Sequence, residues 1–537
     1  MKQKIERFIA DRLGADNVAL TSPKDPSFGH FATPIAFTLA ASRRAAPNAI
    51  ATELSQKLRD DEYFSEVSVV GGFINFKLSD RFLDLNALEA LRRGDRFGAI
   101  AAGATESAGG EKILLEFVSA NPTGPLHIGH ARGAFYGDSL LKLGRHLGHT
   151  IVSEYYINDA GNQVDLLGRS VHFKGRAELL NEAIEFPSEC YQGEYILDLA
   201  KLAQKRFGDA IFQEGADISA LCVWAKDEMI KWIKTTLGEA DIVFDNFVSE
   251  KPLYDRWDKT MKRLEENGAL YADSDRKIWL ASSKKGDGKD RVVARENGVP
   301  TYLAGDIIYH DDKFARGFDR YINIWGADHH GYIPRVKAAI EFLGYDSNKL
   351  EVLLSQMVSL LKNGEPYKMS KRSGNFVTME EIGNEAGYDA LRFIFLTKRA
   401  DTHLEFDINL LKKEDSSNPI YYVNYAHARI CSLFEKLGKK PYDLIETPLD
   451  NLQSDAKELV FFALQLPETI KESFKTRQPH LLTDYLYKLA VKTHKFYADN
   501  RVIGSKDEER FAKILSLSAL SIRIGLKLLG INAKTSM

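Results

Sequence analysis

The tetrapeptide His127-Ile128-Gly129-His130 combines residue types and spacing suited to phosphate chemistry. Pro122, Gly124 and Pro125 disfavour an earlier helix, so the tetrapeptide is expected at the start of a helix through residues 134–147. A helix start offers free N–H groups to phosphates, and two imidazoles three residues apart share one face. Gly129 would let a flat base or ribose approach the backbone. An isolated HxxH pattern also occurs as a surface pair or a metal-binding pair.

A second tetrapeptide, Lys368-Met369-Ser370-Lys371, places cations in a loop bounded by Gly364 and Gly374. Flexible ammonium groups can close over the negative charge that builds on departing pyrophosphate when the α-phosphate of ATP is attacked. A lysine-rich loop by itself is usually a solvated surface. The two tetrapeptides lie about 240 residues apart, and together they predict an enzyme that uses ATP to activate a carboxylic acid.

The elements that must position these residues are those of a nucleotide-binding α/β domain. Residues 113–118 (ILLEFV), 149–157 and 320–325 read as buried strands, and the first tetrapeptide lies between the first strand and a helix. A Rossmann-like parallel-sheet domain is therefore predicted over residues 111–400, interrupted at about 165–300 by a largely helical insert. The pattern of residues 1–93 predicts an α+β domain with two β-runs around Gly71-Gly72. Residues 94–110 are predicted to form a linker. Strand patterns cease near residue 401, so 401–537 predicts an all-helical domain.

The composition is that of an ordinary globular protein, with 44% hydrophobic and 27% charged residues. Cys190, Cys222 and Cys431 lie too far apart for a disulfide framework or a CxxC zinc site. No signal peptide and no apolar run of about 20 residues is found, so a cytoplasmic protein without a membrane span is expected. Residues 411–537 carry 20 lysines and arginines against 15 acidic residues, which suits either a polyanionic partner or a solvated helical surface.

The two tetrapeptides resemble the HIGH and KMSK motifs of class I aminoacyl-tRNA synthetases. Four further stretches resemble the arginyl-tRNA synthetases: residues 119–122 (SANP), 154–163 (EYYINDAGNQ), 301–307 (TYLAGDI) and 418–430 (NPIYYVNYAHARI). The resemblance implies ATP-dependent activation of L-arginine to arginyl-adenylate, and transfer to the 3′ end of tRNA(Arg) with release of AMP and pyrophosphate. It also implies Mg2+ bound with ATP, no structural metal, a monomer, and a need for bound tRNA before activation.

The same resemblance assigns site residues. His127 and His130 would steady the phosphates of ATP, and Lys368 and Lys371 would neutralise pyrophosphate. The wider ATP site would comprise Asn121, Pro122, Thr123, Gly124, Pro125, Leu126, His127, Ile128, Gly129, His130, Ala131, Met369 and Ser370. The arginine site would comprise Asn121, Tyr155, Glu250, Tyr302, Asp306, Asp328 and His329. Tyr155 stands where the family has an asparagine.

The charge of arginine requires carboxylates in its site, because a guanidinium is permanently charged and planar. Tyr302 and Asp306 are four residues apart and would share one helical face. Without the resemblance, Asp306 could equally cap a helix or form an ion pair, and Glu250 could be a surface anion.

The helical C-terminal domain is expected to bind the anticodon, and the N-terminal domain to contact the outer corner of tRNA. Tyr421 and Tyr425 are candidates for stacking on bases, although their spacing also suits a helix core. Two other functions stay open at this point. One is a small-molecule ligase or nucleotidylyltransferase, and the other is a noncatalytic tRNA-binding factor.

Overall fold

The computed structural model describes residues 1–60, 62–99, 110–367 and 376–537. The chain forms two compact units. One unit contains residues 1–100, 419–477 and 481–537, and the other contains residues 101–418 and 478–480. Within the described ranges, no helix is long and apolar enough to cross a bilayer.

The first unit begins with a small α+β module. Its helices are α1 (Lys2–Leu13), α2 (Ile35–Arg43), α3 (Pro47–Lys57) and α4 (Asp80–Arg93), and its strands are β1 (Phe31–Thr33), β2 (Phe64–Val70) and β3 (Phe73–Leu78). The strands form an antiparallel sheet in the order β1-β3-β2. Gly71 and Gly72 connect β2 and β3 with φ of 59° and 86°, values that glycine tolerates in a tight hairpin. The two predicted β-runs are thus confirmed.

The second unit holds the remaining strands and the helices between them. Its strands are β4 (Lys112–Glu116), β5 (Thr150–Ile157), β6 (Asn246–Ser249), β7 (Leu270–Ala272), β8 (Ile278–Leu280), β9 (Arg291–Ala294), β10 (Arg320–Gly326), β11 (Leu350–Ser355), β12 (Val358–Lys362), β13 (Glu365–Pro366) and β14 (Leu404–Asp407). Its helices are α5 (Ile128–His146), α6 (Asn162–Glu178), α7 (Glu194–Phe207), α8 (Ser219–Glu239), α9 (Trp257–Glu266), α10 (Tyr302–Ala315), α11 (Ile333–Phe342), α12 (Met379–Ala386), α13 (Tyr388–Phe395) and α14 (Ile408–Leu411).

The central sheet of this unit is parallel, in the order β11-β10-β4-β5-β6. The chain leaves β4 toward β5 on one side and later returns to β10 on the other. Ligands of open parallel sheets bind at such a switch point, beyond the carboxyl ends of the strands. Helix α5 lies close to the sheet because Gly137 lacks a side chain, and a Cβ there would be 2.3 Å from the Phe117 ring.

Two predicted boundaries differ from the structure. The helical insert predicted over about 165–300 contains β6, which pairs with β5 as an edge strand of the central sheet. The strands predicted to cease near residue 401 continue with β14, which pairs with β12. Both strands have only four residues: β6 (NFVS) does not alternate, and the alternation of β14 (LEFD) is too short to stand out.

The first unit is completed by the C-terminal helices α15 (Pro419–Lys436), α16 (Ser454–Ala463), α17 (Leu466–Lys475), α18 (His480–Asp499) and α19 (Glu508–Leu528). Two of them, α16 and α19, pack against α4 of the N-terminal module. The fully buried ammonium of Lys513 lies 2.6 Å from Asp84 of α4, and Lys457 lies 2.6 Å from Asp80. The N-terminal module and the C-terminal helices therefore form one body.

Candidate active site

The first tetrapeptide begins α5. His127 is the N-cap residue, and its Nδ1 accepts a hydrogen bond from the Gly129 N–H at 3.0 Å. Nδ1 of His130 accepts from the His127 N–H at 3.3 Å, and the two rings stack with centroids 3.6 Å apart. Because each Nδ1 is an acceptor, each neutral ring carries its proton on Nε2. The Nε2–H groups are thus the donors that these rings can offer to a phosphate.

Gly129 has a second role besides leaving room for a nucleotide. A Cβ at this position would lie 2.9 Å from Cε1 and Nδ1 of His127. A side chain would therefore displace the His127 ring and weaken its hydrogen bond to the backbone.

The turn before α5 holds the other residues predicted to bind ATP. Asn121 is exposed, Thr123 and Gly124 are partly buried, and Tyr195 donates its hydroxyl to the Thr123 carbonyl at 3.1 Å. Five of the predicted residues have buried side chains: Pro122, Pro125, Leu126, Ile128 and Ala131. These five shape the turn and the base of α5, and only their backbone atoms could face a ligand.

The second tetrapeptide falls outside the described residues. Lys368, Met369, Ser370 and Lys371 are therefore known only from the sequence. The segment that follows is described and is bonded to the first tetrapeptide. The Ile128 N–H donates to the Val377 carbonyl at 3.0 Å, and the Met379 N–H donates to the Leu126 carbonyl at 2.7 Å.

A pocket of acidic and tyrosine side chains lies beyond the carboxyl ends of β5 and β6. Glu250 follows β6, is only 3% exposed, and accepts a hydrogen bond from the Tyr254 hydroxyl at 3.3 Å. Burial raises the pKa of Glu250 to about 7. Asp306 lies on α10, and burial together with the nearby Glu250 raises its pKa to about 8. Neither carboxyl is hydrogen-bonded to a lysine or arginine of the described chain.

Tyr302 begins α10 beside these acids. Its hydroxyl accepts a hydrogen bond from Asn158 at 3.1 Å, and its ring meets that of Tyr332 edge-on. A cationic ligand with several N–H donors suits a pocket with two such acids and several hydroxyls, because its charge would favour the ionised carboxylates that burial disfavours.

Sequence reasoning missed several residues of this pocket. Tyr156 is buried with its ring stacked on Tyr309, and its pKa is raised by burial and then by Glu250 and Asp306. Gly305 directly precedes Asp306 on α10, and a Cβ at this position would lie 2.1 Å from Oε1 of Glu250. Gly305 is therefore what allows the Glu250 carboxylate to lie against α10.

A third acid near the pocket is already neutralised. Glu116, at the end of β4, pairs with Lys313 of α10, which is fully buried. Lys313 also donates to Asn323 of β10 at 2.9 Å, and Ser119 donates to the other oxygen of Glu116 at 2.9 Å. The signal in the sequence was a single glutamate within an apolar strand.

Three further residues predicted for the arginine site have surroundings unlike those of Glu250 and Asp306. Tyr155 is 2% exposed, and its hydroxyl donates to the Ala120 carbonyl at 2.8 Å, so its polar group is already used. Successive side chains of a strand point to opposite faces, and it is Tyr156 that faces Glu250 and Asp306. Asp328 and His329 lie in the turn after β10 with exposed side chains, 3.8 Å from each other.

The tyrosines proposed for RNA lie on α15 in the first unit. Tyr421 and Tyr425 stack with ring centroids 6.3 Å apart, and Tyr425 is 41% exposed. His494 of α18 lies beside them, 5.4 Å from the Tyr425 ring. Tyr425 is thus a surface residue, and the helix-core alternative does not hold for it.

Comparisons with known proteins match the chain along its whole length. Residues 1–78 match the family described as "Arginyl tRNA synthetase N terminal domain", 100–430 match "tRNA synthetases class I (R), catalytic domain", and 423–537 match "DALR anticodon binding domain". An arginine–tRNA ligase of Nitratiruptor sp. is 56% identical over 537 residues, with 100% of both chains covered.

Solved structures agree with these matches. A crystal structure of a Campylobacter jejuni protein, described as an arginyl-tRNA synthetase, is 52% identical and has a TM-score of 0.80 over 86% of this chain and 100% of that one. The Thermus thermophilus arginyl-tRNA synthetase is 20% identical and has a TM-score of 0.76 over 100% of both chains, so that likeness concerns the fold alone.

Proposed function

The chain belongs to the arginyl-tRNA synthetase family, and from this premise we propose that it is an arginine–tRNA ligase whose acidic pocket selects L-arginine. The enzyme consumes ATP, forms arginyl-adenylate, and transfers the arginyl group to the 3′ end of tRNA(Arg). AMP and pyrophosphate are released.

The observation that carries the proposal is the pair of acids Glu250 and Asp306. Both have raised pKa values, about 7 and about 8, and neither is hydrogen-bonded to a lysine or arginine in the described chain, although the charges of Lys313 and Arg335 act on Asp306. Buried carboxylates are normally paired, because an isolated ion is costly to remove from water. A guanidinium supplies the missing charge and up to five N–H donors. Tyr302 closes the side of the pocket, and Asn121 is assigned to the amino group of the substrate.

The activation step follows from the first tetrapeptide. A carboxylate oxygen of arginine attacks the α-phosphorus of ATP, and the bond to pyrophosphate breaks. His127 and His130 donate Nε2–H to phosphate oxygens, and the start of α5 adds its positive dipole. Lys368 and Lys371 balance the charge on departing pyrophosphate. Mg2+ would accompany ATP as part of the substrate and would offset part of the negative charge of its phosphates.

The transfer step needs no covalent bond to the protein. A ribose hydroxyl at the 3′ end of tRNA attacks the carbonyl carbon of the adenylate, an ester forms, and AMP leaves. The anticodon is assigned to the C-terminal helices, whose exposed Tyr425 and neighbouring Tyr421 offer ring faces to bases. The N-terminal module is assigned to the outer corner of tRNA. We further propose that the protein acts as a cytoplasmic monomer.

The decisive experiment is aminoacylation of total bacterial tRNA by the purified chain, with ATP, Mg2+ and each of the twenty radiolabelled amino acids in separate reactions. Incorporation of arginine alone is expected. Charging with a different amino acid would retain the two ATP motifs and overturn the pocket assignment. Absence of any charging would favour a noncatalytic tRNA-binding factor.

A further inference from the structure

The turn after β5 carries a buried aspartate whose carboxylate oxygens are bonded within the chain. Asp159 is 6% exposed, and the Ser249 hydroxyl lies 2.8 Å from each of its two oxygens. The Lys251 N–H donates to Oδ1 at 3.1 Å, and the Lys226 ammonium of α8 donates to Oδ2 at 3.3 Å. A hydrogen bond to a lysine distinguishes this carboxylate from the two acids of the pocket.

Two of these donors lie on either side of Glu250 in the chain. Ser249 is the last residue of β6, and Lys251 directly follows Glu250. Glu250 is bonded to the same turn, since its own N–H donates to the Ile157 carbonyl at 3.0 Å. Three consecutive residues are thus held against the turn after β5, with Glu250 in the middle. Asp159 therefore restricts where the Glu250 carboxyl can lie.

A carboxylate has a specific advantage at this position. An ionised aspartate offers two acceptor oxygens and no donor, so it can accept from a hydroxyl, a backbone N–H and an ammonium at the same time. Asparagine would keep only one acceptor oxygen and would add N–H donors on the other side. Alanine would leave the Lys251 N–H and the Lys226 ammonium without this acceptor in a largely buried environment.

We propose that Asp159 is a positioning residue for arginine selection, fixing the residues on both sides of Glu250 and thereby the place where the Glu250 carboxylate meets the guanidinium. The inference rests on the proposed function, in which Glu250 binds arginine. Asp159 touches neither arginine nor ATP in this scheme. Its loss should therefore change the KM for arginine and leave the KM for ATP at the parental value.

The chain offers a matched control at the other end of β6. Asp245 directly precedes β6 and accepts from the Ser153 N–H at 2.7 Å, the Ser153 hydroxyl at 2.8 Å and Arg145 at 2.6 Å. It joins β5 to β6 through the same three kinds of donor, a backbone N–H, a serine hydroxyl and a basic side chain. Asp245→Ala therefore removes an equivalent set of bonds at the amino end of β6, away from the ligand side of the sheet.

The test measures ATP–pyrophosphate exchange with tRNA(Arg) present at varied arginine and ATP, together with thermal unfolding of each variant. Asp159→Ala should raise the KM for arginine by about 10-fold to 100-fold, the scale on which a lost hydrogen bond to a charged group lowers affinity. The kcat at saturating arginine should stay close to the parental value. Asp245→Ala should retain the parental KM for arginine. Asp159→Asn should fall between parent and Asp159→Ala, and it replaces the alanine variant should that protein not fold.

A double-mutant cycle separates positioning of Glu250 from general stabilisation. Asp159→Ala combined with Glu250→Ala should have a KM for arginine no higher than that of Glu250→Ala alone, whereas independent effects would multiply. Multiplying increases, equal increases in the Asp159 and Asp245 variants, or a parental KM in both Asp159 variants would overturn the inference. Parental protein without arginine-dependent exchange would instead contradict the proposed function.

Discussion

Replacing Glu250 by glutamine should stabilise the protein in alkaline solution while weakening its use of arginine. Burial holds the pKa of Glu250 at about 7, against an ordinary value of 4.5. The folded protein therefore binds this proton more tightly than the unfolded chain does. The stability that the proton contributes is fully present below about pH 4.5 and is lost as the pH rises through about 7.

The size of the effect follows from this difference in pKa. At about 1.4 kcal/mol per tenfold change in proton affinity, ionisation of Glu250 costs the folded state up to about 3 kcal/mol at pH 8. Glutamine has nearly the same shape and cannot ionise, so Glu250→Gln should recover most of that free energy at pH 8 and little of it at pH 5.

The effect on substrate binding has the opposite sign. A hydrogen bond to a charged group contributes about 1.5 to 3 kcal/mol, so losing the carboxylate should raise the KM for arginine by about 10-fold to 150-fold. Asp306 remains in the variant and retains part of the affinity. The KM for ATP should change little, because Glu250 follows the edge strand β6, whereas the first tetrapeptide follows β4 in the middle of the sheet.

Urea unfolding at pH 5 and pH 8 and arginine-dependent pyrophosphate exchange check the two halves of this prediction. Glu266→Gln, an exposed glutamate on α9, is the control for removal of a carboxylate. An unfolding midpoint shifted equally at both pH values would refute the argument from burial. A stabilised variant with the parental KM for arginine would refute the assignment of Glu250 to the guanidinium.

Three other outcomes are expected. Gly305→Ala should raise the KM for arginine, because the new Cβ would lie 2.1 Å from Oε1 of Glu250 and displace that carboxylate. Alanine by itself favours a helix over glycine by about 1 kcal/mol. A parental KM would contradict the close approach of Glu250 to α10. In the parent protein the KM for arginine should decrease as the pH rises from 6 to 9, because Glu250 and Asp306, with pKa values of about 7 and about 8, lose their protons over this range. A KM that does not change with pH would contradict this prediction. Tyr425→Ala should raise the KM for tRNA but not for ATP, and equal tRNA kinetics would remove Tyr425 from the RNA surface.

The general fold and the first tetrapeptide were accessible from the sequence because they depend on local signals. The apolar run of β4, the turn of prolines and glycine, and the periodicity of α5 predict where His127 and His130 lie, and the structure confirms the helix start. The family and class I fold are confirmed by the full-length matches. The edge strands β6 and β14 were missed because a partly exposed strand of four residues needs no apolar run.

The pocket was only partly accessible. Tyr302, Asp306 and Glu250 were predicted and lie together, but Tyr155 was chosen where Tyr156 faces the acids. Two adjacent tyrosines in a buried strand have similar sequence signals, and which face each one takes depends on the register with neighbouring strands. The role of Gly305 was also invisible, since it depends on Glu250, which lies 55 residues earlier in the chain.

The charge balance of the pocket gives a physical reason for selecting arginine. Glu116 is paired with Lys313, so under the proposed function Glu250 and Asp306 are the acids assigned to the ligand. A guanidinium can bridge two carboxylates through a planar fork of five N–H donors, whereas a lysine ammonium has three donors around a single nitrogen and no fixed plane. A neutral isostere such as citrulline would satisfy neither, and each buried group left unpaired costs about 1 to 3 kcal/mol. Under the proposed function, the pocket would discriminate mainly by what a wrong ligand leaves unpaired, and the burial that raises the pKa values of its two acids would be the cost of that selectivity.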